Sequence, residues 1–376
     1  MNFFDSQDLA LRKTRFLLLL MTLAVGVIVL SVTFVIAGTI WISVRTSADY
    51  GSFIFWALAN SQLLIVVALS ITAFIGIASI YRVVTLSQGG GRVARDLGGT
   101  PVSIYDSDPL RSRLHNVVEE MALASGVPVP EVFVMDQEAG INAFAAGFRP
   151  EDAAVAVTRG ALETLNREEL QGVIAHEFSH ILNGDMRLNI RLMGPLFGIL
   201  AIGLLGRTLL RSSRGSSSRN KSSGAAVMLG AGLMITGYTG LLIGRLIKAG
   251  VSRQREYLAD ASAVQFTRQT RGIANALKKI GGLKEGSAIE DTEAEEVSHM
   301  LFANGLASIS SFSDALATHP PLFKRIKALD PQFSENDMVG FHTERSELEH
   351  TDETPGISNF SAEILSTAGT ADAVLE

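Results

Sequence analysis

The chain has 376 residues, with 32 basic against 38 acidic side chains, a net charge of −6, 47% apolar residues and no cysteine. That balance, without a strongly basic block, argues against nucleic acid as a partner. The missing cysteines exclude disulfides, a thiolate nucleophile and thiolate metal ligands, so any metal site must use nitrogen and oxygen donors.

In chain order, Phe16 to Ile42 is the first long apolar run, and Leu63 to Val84 the second. Each exceeds the ~20 uncharged residues that a bilayer crossing requires. The first is too long for a signal peptide and is soon followed by the second, so it reads as an uncleaved anchor. Arg12, Lys13 and Arg15 precede it, whereas the loop to the second run carries only Arg45. Basic flanks stay inside, which places the N-terminus in the cytoplasm and returns the chain there near Arg82.

Gln88-Gly89-Gly90-Gly91 reads as a flexible exit from the membrane. Ser107, Asp108 and Pro109 start a helix that Gly126 ends after Ser125. Glu131–Met135 and Ala153–Val157 read as short strands. Between them, Ile141 to Gly147 reads as an exposed strand of small residues, able to take an extended peptide onto a sheet edge.

Asn166 is an N-cap with Glu169 three residues later, a capping box, and Gly184 is a C-terminal stop. The helix between them, Arg167 to Asn183, has an apolar face of Leu170, Val173, Ile174 and Phe178, and contains His176-Glu177-Phe178-Ser179-His180. Positions i and i+4 share one helix face, so His176 and His180 can hold one ion with Glu177 beside them as general base. The charges of Arg167, Glu168 and Glu169 place this helix in water or at the membrane interface rather than within the bilayer.

Two glycine-rich apolar segments follow, about Leu192–Leu210 and Ala225–Ile247. They read as a spanning or partly embedded hairpin whose small residues permit close approach. The intervening loop carries Arg207, Arg211, Arg214, Arg219 and Lys221, and full crossing puts those charges outside, against the basic-inside rule. Either the pair does not fully cross or the N-terminal signal dominates. A helix from about Ser252 to Lys279, an acidic loop around Glu290–Glu296, helical sequence to Asp330 and a polar, flexible tail complete the chain.

A catalytic zinc site takes three protein ligands and leaves one position for water. The position six beyond His180, where a third histidine could extend the motif, is Met186. No glutamate occurs between Glu177 and Glu256, and Asp185 lies past the helix end. Glu256 is therefore the expected third ligand, with Asp260 one turn on to orient a ligand histidine.

His176 to His180 followed by Asn183-Gly184-Asp185-Met186-Arg187 resembles the HtpX-type membrane zinc metalloproteases, relatives of the CAAX prenyl proteases. Ser252 to Asp260 is similar to that family's second motif, Asn142 to Gly147 to its edge strand, and Thr318-His319-Pro320-Pro321 to its C-terminal motif. The resemblance spans roughly residues 90–330. It implies one Zn2+ per chain on His176, His180 and Glu256, with Glu177 as base. It also implies His319 as a catalytic group near the substrate oxyanion, Asn142 on the substrate backbone, and Arg325 at the substrate or paired with a site carboxylate.

The expected fold is mainly α with a small β-sheet, a gluzincin-like zinc protease domain interrupted by a transmembrane hairpin, with about four membrane segments. The expected divisions are 1–90, 91–188, 189–250, 251–332 and 333–376. The expected function is a zinc endopeptidase of the bacterial inner membrane, facing the cytoplasm and acting on membrane proteins in quality control. A prenyl-protein protease and a non-catalytic zinc-binding scaffold stand as alternatives.

Overall fold

Long apolar runs with no breaker become long helices. In the computed structural model, which describes residues 3–44, 52–87, 89–214, 222–282, 302 and 316–334, the first run is α1 (Phe3–Val44) and the second α3 (Ser61–Leu86). A short helix α2 (Phe53–Ala59) joins them, its Phe53 ring 5.3 Å from Phe34 and 5.8 Å from Trp41. Along α1, Leu23, Val27, Leu30 and Phe34 are all exposed, as are Ile65, Val66, Leu69 and Ile77 on α3. Such an apolar exterior is stable against lipid and not against water. Among the described residues, four helices are long and apolar enough to cross a membrane.

The other two are α8 (Asp185–Arg214) and α9 (Ser222–Thr267). They meet at glycine: a Cβ on Gly237 would lie 2.4 Å from the Gly203 nitrogen, and one on Gly206 2.4 Å from that of Met234. The close approach expected of these small residues is present, and any side chain there forces the helices apart. At 46 residues, α9 is about 69 Å long, more than twice the ~30 Å hydrocarbon layer. Its far end therefore projects from the membrane. The helix expected to begin afresh at Ser252 is instead the continuation of this span, because nothing between Ile247 and Ser252 breaks the hydrogen-bond ladder. The break comes at Arg268, whose φ is 60°, before α10 (Arg271–Gly282).

The water-side domain is built on a four-stranded sheet of order β1-β2-β4-β3, from β1 (Thr100–Pro101), β2 (Glu131–Met135), β3 (Ala143–Ala146) and β4 (Ala154–Thr158). β2 and β4 run parallel, with Glu131 opposite Ala154, and β3 closes one edge antiparallel, with Ala143 opposite Val157. The edge position of β3 is as expected, but its exposure is not. All four residues are buried, because α7 (Arg167–Asn183) and α4 (Gly90–Asp96) cover them. The glycines read as a flexible linker correspondingly start α4. A Cβ on Gly90 would lie 2.2 Å from the Ala146 carbonyl, so the glycine is there for contact.

The ends of α7 form as its sequence dictates. The Asn166 amide oxygen accepts from the Glu169 N–H and the Glu169 carboxylate from the Asn166 N–H, both at 2.9 Å, and Gly184 takes φ 65°. Leu170, Val173, Ile174, Phe178 and Ile181 of α7 are buried in one core with β4, α5 (Pro109–Ser125) and α10. Each such side chain contributes roughly 1.5–3 kcal/mol on burial. The short α6 (Arg159–Thr164) leads into α7, and α11 (Leu322–Leu329) closes the domain. Phe333, in the tail read as flexible, is buried against Phe323 (6.2 Å) and below the Lys278 ammonium (4.9 Å). The acidic loop 290–296, residues 215–221 of the basic loop and tail residues 335–376 lie outside the described residues.

Candidate metal centre

Two histidines a helical turn apart on α7 meet one carboxylate from α9. His176 Nε2 and His180 Nε2 are 3.1 Å apart, with Glu256 Oε2 3.6 Å from the first and Glu256 Oε1 3.5 Å from the second. Tetrahedral zinc with bonds near 2.0–2.1 Å places its ligand atoms about 3.3 Å apart, so this spacing fits such an ion. The three form the metal-capable cluster among the described residues. Buried polar atoms nearby lack a partner in hydrogen-bond geometry: both carboxylate oxygens of Glu177, Oε2 of Glu256 and both ring nitrogens of His319. Leaving a buried polar atom unpaired costs about 1–3 kcal/mol, more if charged, and a bound cation would satisfy part of what the protein does not. The residues present fit the metal.

Burial pushes the Glu177 carboxyl above the ordinary carboxylate range; the two imidazoles oppose that shift and the Glu256 carboxylate adds to it. For His176, burial disfavours the charged ring, but the Asp260 and Glu256 carboxylates outweigh it and raise the group to about 9. A cation at Nε2 would compete directly with that proton.

The nitrogens turned away from the cluster are also accounted for. His176 Nδ1 lies 2.9 Å from Asp260 Oδ1. Asp260 in turn accepts from Arg325 at 2.9 and 2.7 Å, and the same guanidinium lies 3.3 Å from Glu256 Oε2. Arg325 thus lies against both Asp260 and Glu256. Arg325 is fully buried, and Nη1 also donates to the Phe302 carbonyl at 2.9 Å, so its nitrogens face this chain's own groups rather than the open cavity. His319 is buried with Nδ1 3.0 Å from Glu256 Oε2.

Asn142 is also buried. Its side-chain oxygen accepts from the N–H groups of Ala143 and Phe302, each at 3.0 Å, and the Phe302 N–H also lies 2.8 Å from the Ala143 carbonyl. The Phe302 ring stands edge-on to His176 at 4.9 Å, with the Arg325 guanidinium 5.0 Å from its centroid. A small, partly open cavity lies beside the cluster, lined by Ala145, Met186, Asn189 and Ser252 together with His180 and Glu256.

Three residues here escaped the sequence reading. Asp185 Oδ2 lies 2.8 Å from His180 Nδ1, and Arg255 grips the other oxygen of Asp185. The signal for Asp185 was its position just after the Gly184 turn, which brings it back towards His180. For Arg255 it was adjacency to Glu256. Nothing in the sequence marked Phe302.

A helical membrane bundle continuous with a domain holding a buried His/His/Glu cluster defines a multi-pass membrane metalloprotease. The sequence pattern of peptidase family M48 matches residues 110–332. The Protease HtpX homolog of Thermoanaerobacter pseudethanolicus is 41% identical over 221 residues, 57% of this chain and 70% of that protein. That of Bacteroides fragilis is 30% identical over 292 residues, 75% and 85% respectively. The crystal structure of S. mikatae Ste24p aligns with 79% of this chain and 66% of its own at TM-score 0.45 and 16% identity, a likeness too slight to carry an argument. The chain belongs to peptidase family M48.

Proposed function

We propose that this protein is a zinc endopeptidase that cuts membrane proteins at the cytoplasmic face of a bacterial inner membrane, in the service of quality control. One observation carries the reading: two imidazoles and a carboxylate converge at zinc-ligand spacing beside the buried, unpaired carboxylate of Glu177. His176, His180 and Glu256 hold the ion. Bound zinc supplies the Lewis acidity that makes attack by water on a peptide carbonyl feasible near neutral pH.

Glu177 is the base: it takes the proton of the attacking water and delivers it to the leaving amine nitrogen. Its burial raises its proton affinity, which suits a group that must both accept and give one. His319, buried against Glu256, donates to the developing oxyanion. Asn142 holds extended backbone along the β3 edge. The Phe302 N–H supports this role: its bond to the Ala143 carbonyl is of the kind an added strand makes, and the Asn142 side-chain oxygen accepts from the same N–H. Asp260 and Arg325 keep His176 in the tautomer that presents Nε2.

The membrane setting supports membrane-protein substrates, since α9 leads from the bundle directly to Glu256. The basic residues in the first turns of α1, ahead of its apolar run, support a cytoplasmic site, and the bacterial relatives support the compartment. No observation favours the prenyl-protein alternative. In a cleavage assay on a membrane-protein substrate, the detergent-solubilised chain is expected to be active and Glu177→Gln inactive with zinc still bound. Full activity in that variant overturns the assignment.

A further inference from the structure

A histidine that binds metal through Nε2 must satisfy Nδ1–H elsewhere, and the partner it finds fixes both tautomer and ring orientation. On His176 that partner is Asp260, itself gripped by Arg325. His180 repeats the arrangement with other residues: Nδ1 is 2.8 Å from Asp185 Oδ2, and Arg255 brings Nε and Nη2 to Asp185 Oδ1. Arg255 Nη2 also donates to the Asn183 carbonyl, the last residue of α7, at 3.1 Å. Asp185 and Arg255 are both buried.

We infer that Asp185 and Arg255 are positioning residues that fix His180 for the metal and brace the metal helix to the membrane hairpin. The inference rests on the zinc site proposed above. Asp185 is the first residue of α8 and Arg255 precedes Glu256 on α9, so one ion pair ties together both hairpin helices and the end of α7. Arg255 and Glu256 are ~100° apart around α9. With Arg255 anchored on Asp185, rotation of α9 about its axis is blocked, which sets the direction from which Glu256 approaches the histidines. The pair lies on the cavity wall, whereas Asp260 and Arg325 lie on the buried side of the cluster. Each histidine therefore has its own carboxylate–guanidinium pair behind it.

The test uses the full chain in detergent and measures zinc affinity by chelator competition, together with the visible spectrum of the cobalt-substituted protein. Asp185→Asn is expected to weaken zinc by ~10–100-fold and to shift the cobalt bands, because the ring loses its anionic partner. Arg255→Gln should act in the same direction by less, and the double variant should match Asp185→Asn, since Arg255 acts through Asp185. Wild-type affinity with an unchanged spectrum in Asp185→Asn overturns the inference, as do strictly additive losses. Should Asp185→Asn not fold, Arg255→Lys carries the test: it keeps the charge and loses the two-nitrogen grip. Weakened zinc then supports the brace and wild-type zinc overturns it. A wild-type chain that takes no zinc, or one indifferent to Glu256→Gln, overturns the metal site itself and is thereby distinguished.

Discussion

The two halves of α9 obey opposite solvent logic. In the membrane half, Ile235, Leu242 and Ile243 face outward and glycines make the helix contacts; in the water half, Arg255, Glu256 and Asp260 are buried and paired. Lipid does not reward burying an apolar side chain, so the bundle is held by close backbone approach. Water does reward it, so the domain has an apolar core, and the buried charges of Arg255, Asp260 and Arg325 persist there as ion pairs. Joining the halves in one unbroken helix makes the placement of Glu256 depend on the seating of the bundle.

Removing the metal should separate the halves most sharply. Chelation is expected to abolish peptide cleavage and added zinc to restore it, with the helical circular dichroism of the bundle unchanged; loss of helix in parallel would show that the ion also holds the bundle. Glu177→Gln should lower kcat by roughly 10²–10⁴-fold with zinc content intact, read by metal analysis beside the assay. Next comes Arg325→Met, which leaves Asp260 and Glu256 buried without their cation. About 3–5 kcal/mol of domain stability should be lost, visible as a lower denaturant midpoint in detergent.

In the bundle, Gly237→Leu forces a side chain against Gly203 and is expected to cost about 1–3 kcal/mol and weaken zinc retention through α9. Undiminished zinc retention would show the two halves to be uncoupled. The smallest effect belongs to Leu30→Ala on the lipid face of α1, about 0.5 kcal/mol or less, whereas Leu170→Ala in the water-side core should cost about 2–5 kcal/mol. Equal losses for these two leucines would contradict the assignment of the α1 surface to lipid.

Much of this architecture was legible residue by residue. The caps of α7, its histidine pair, the four apolar runs and the start of α5 at Asp108 all rest on interactions within a turn or two, or on uninterrupted apolar length. Glu256 was reachable by elimination, because so few carboxylates lie between the candidates. The burial of β3, the tight seat of Gly90, the course of α9 through Ser252 and the fixing of the first tail residues at Phe333 were not. Each depends on what another part of the chain places alongside.

The sequence by itself determined the helical periods, the membrane character of the runs and the donor types available to a metal. Only the tertiary structure decided that Asp185 and Arg255 stand behind His180 and that the Asp260–Arg325 pair stands behind His176. Asp185 and Arg255 are separated by 70 residues, and Arg325 and His176 by 149. Contacts over such separations follow from how helices cross, which local propensity does not encode. The charges at those crossings persist in the interior because each finds its opposite there.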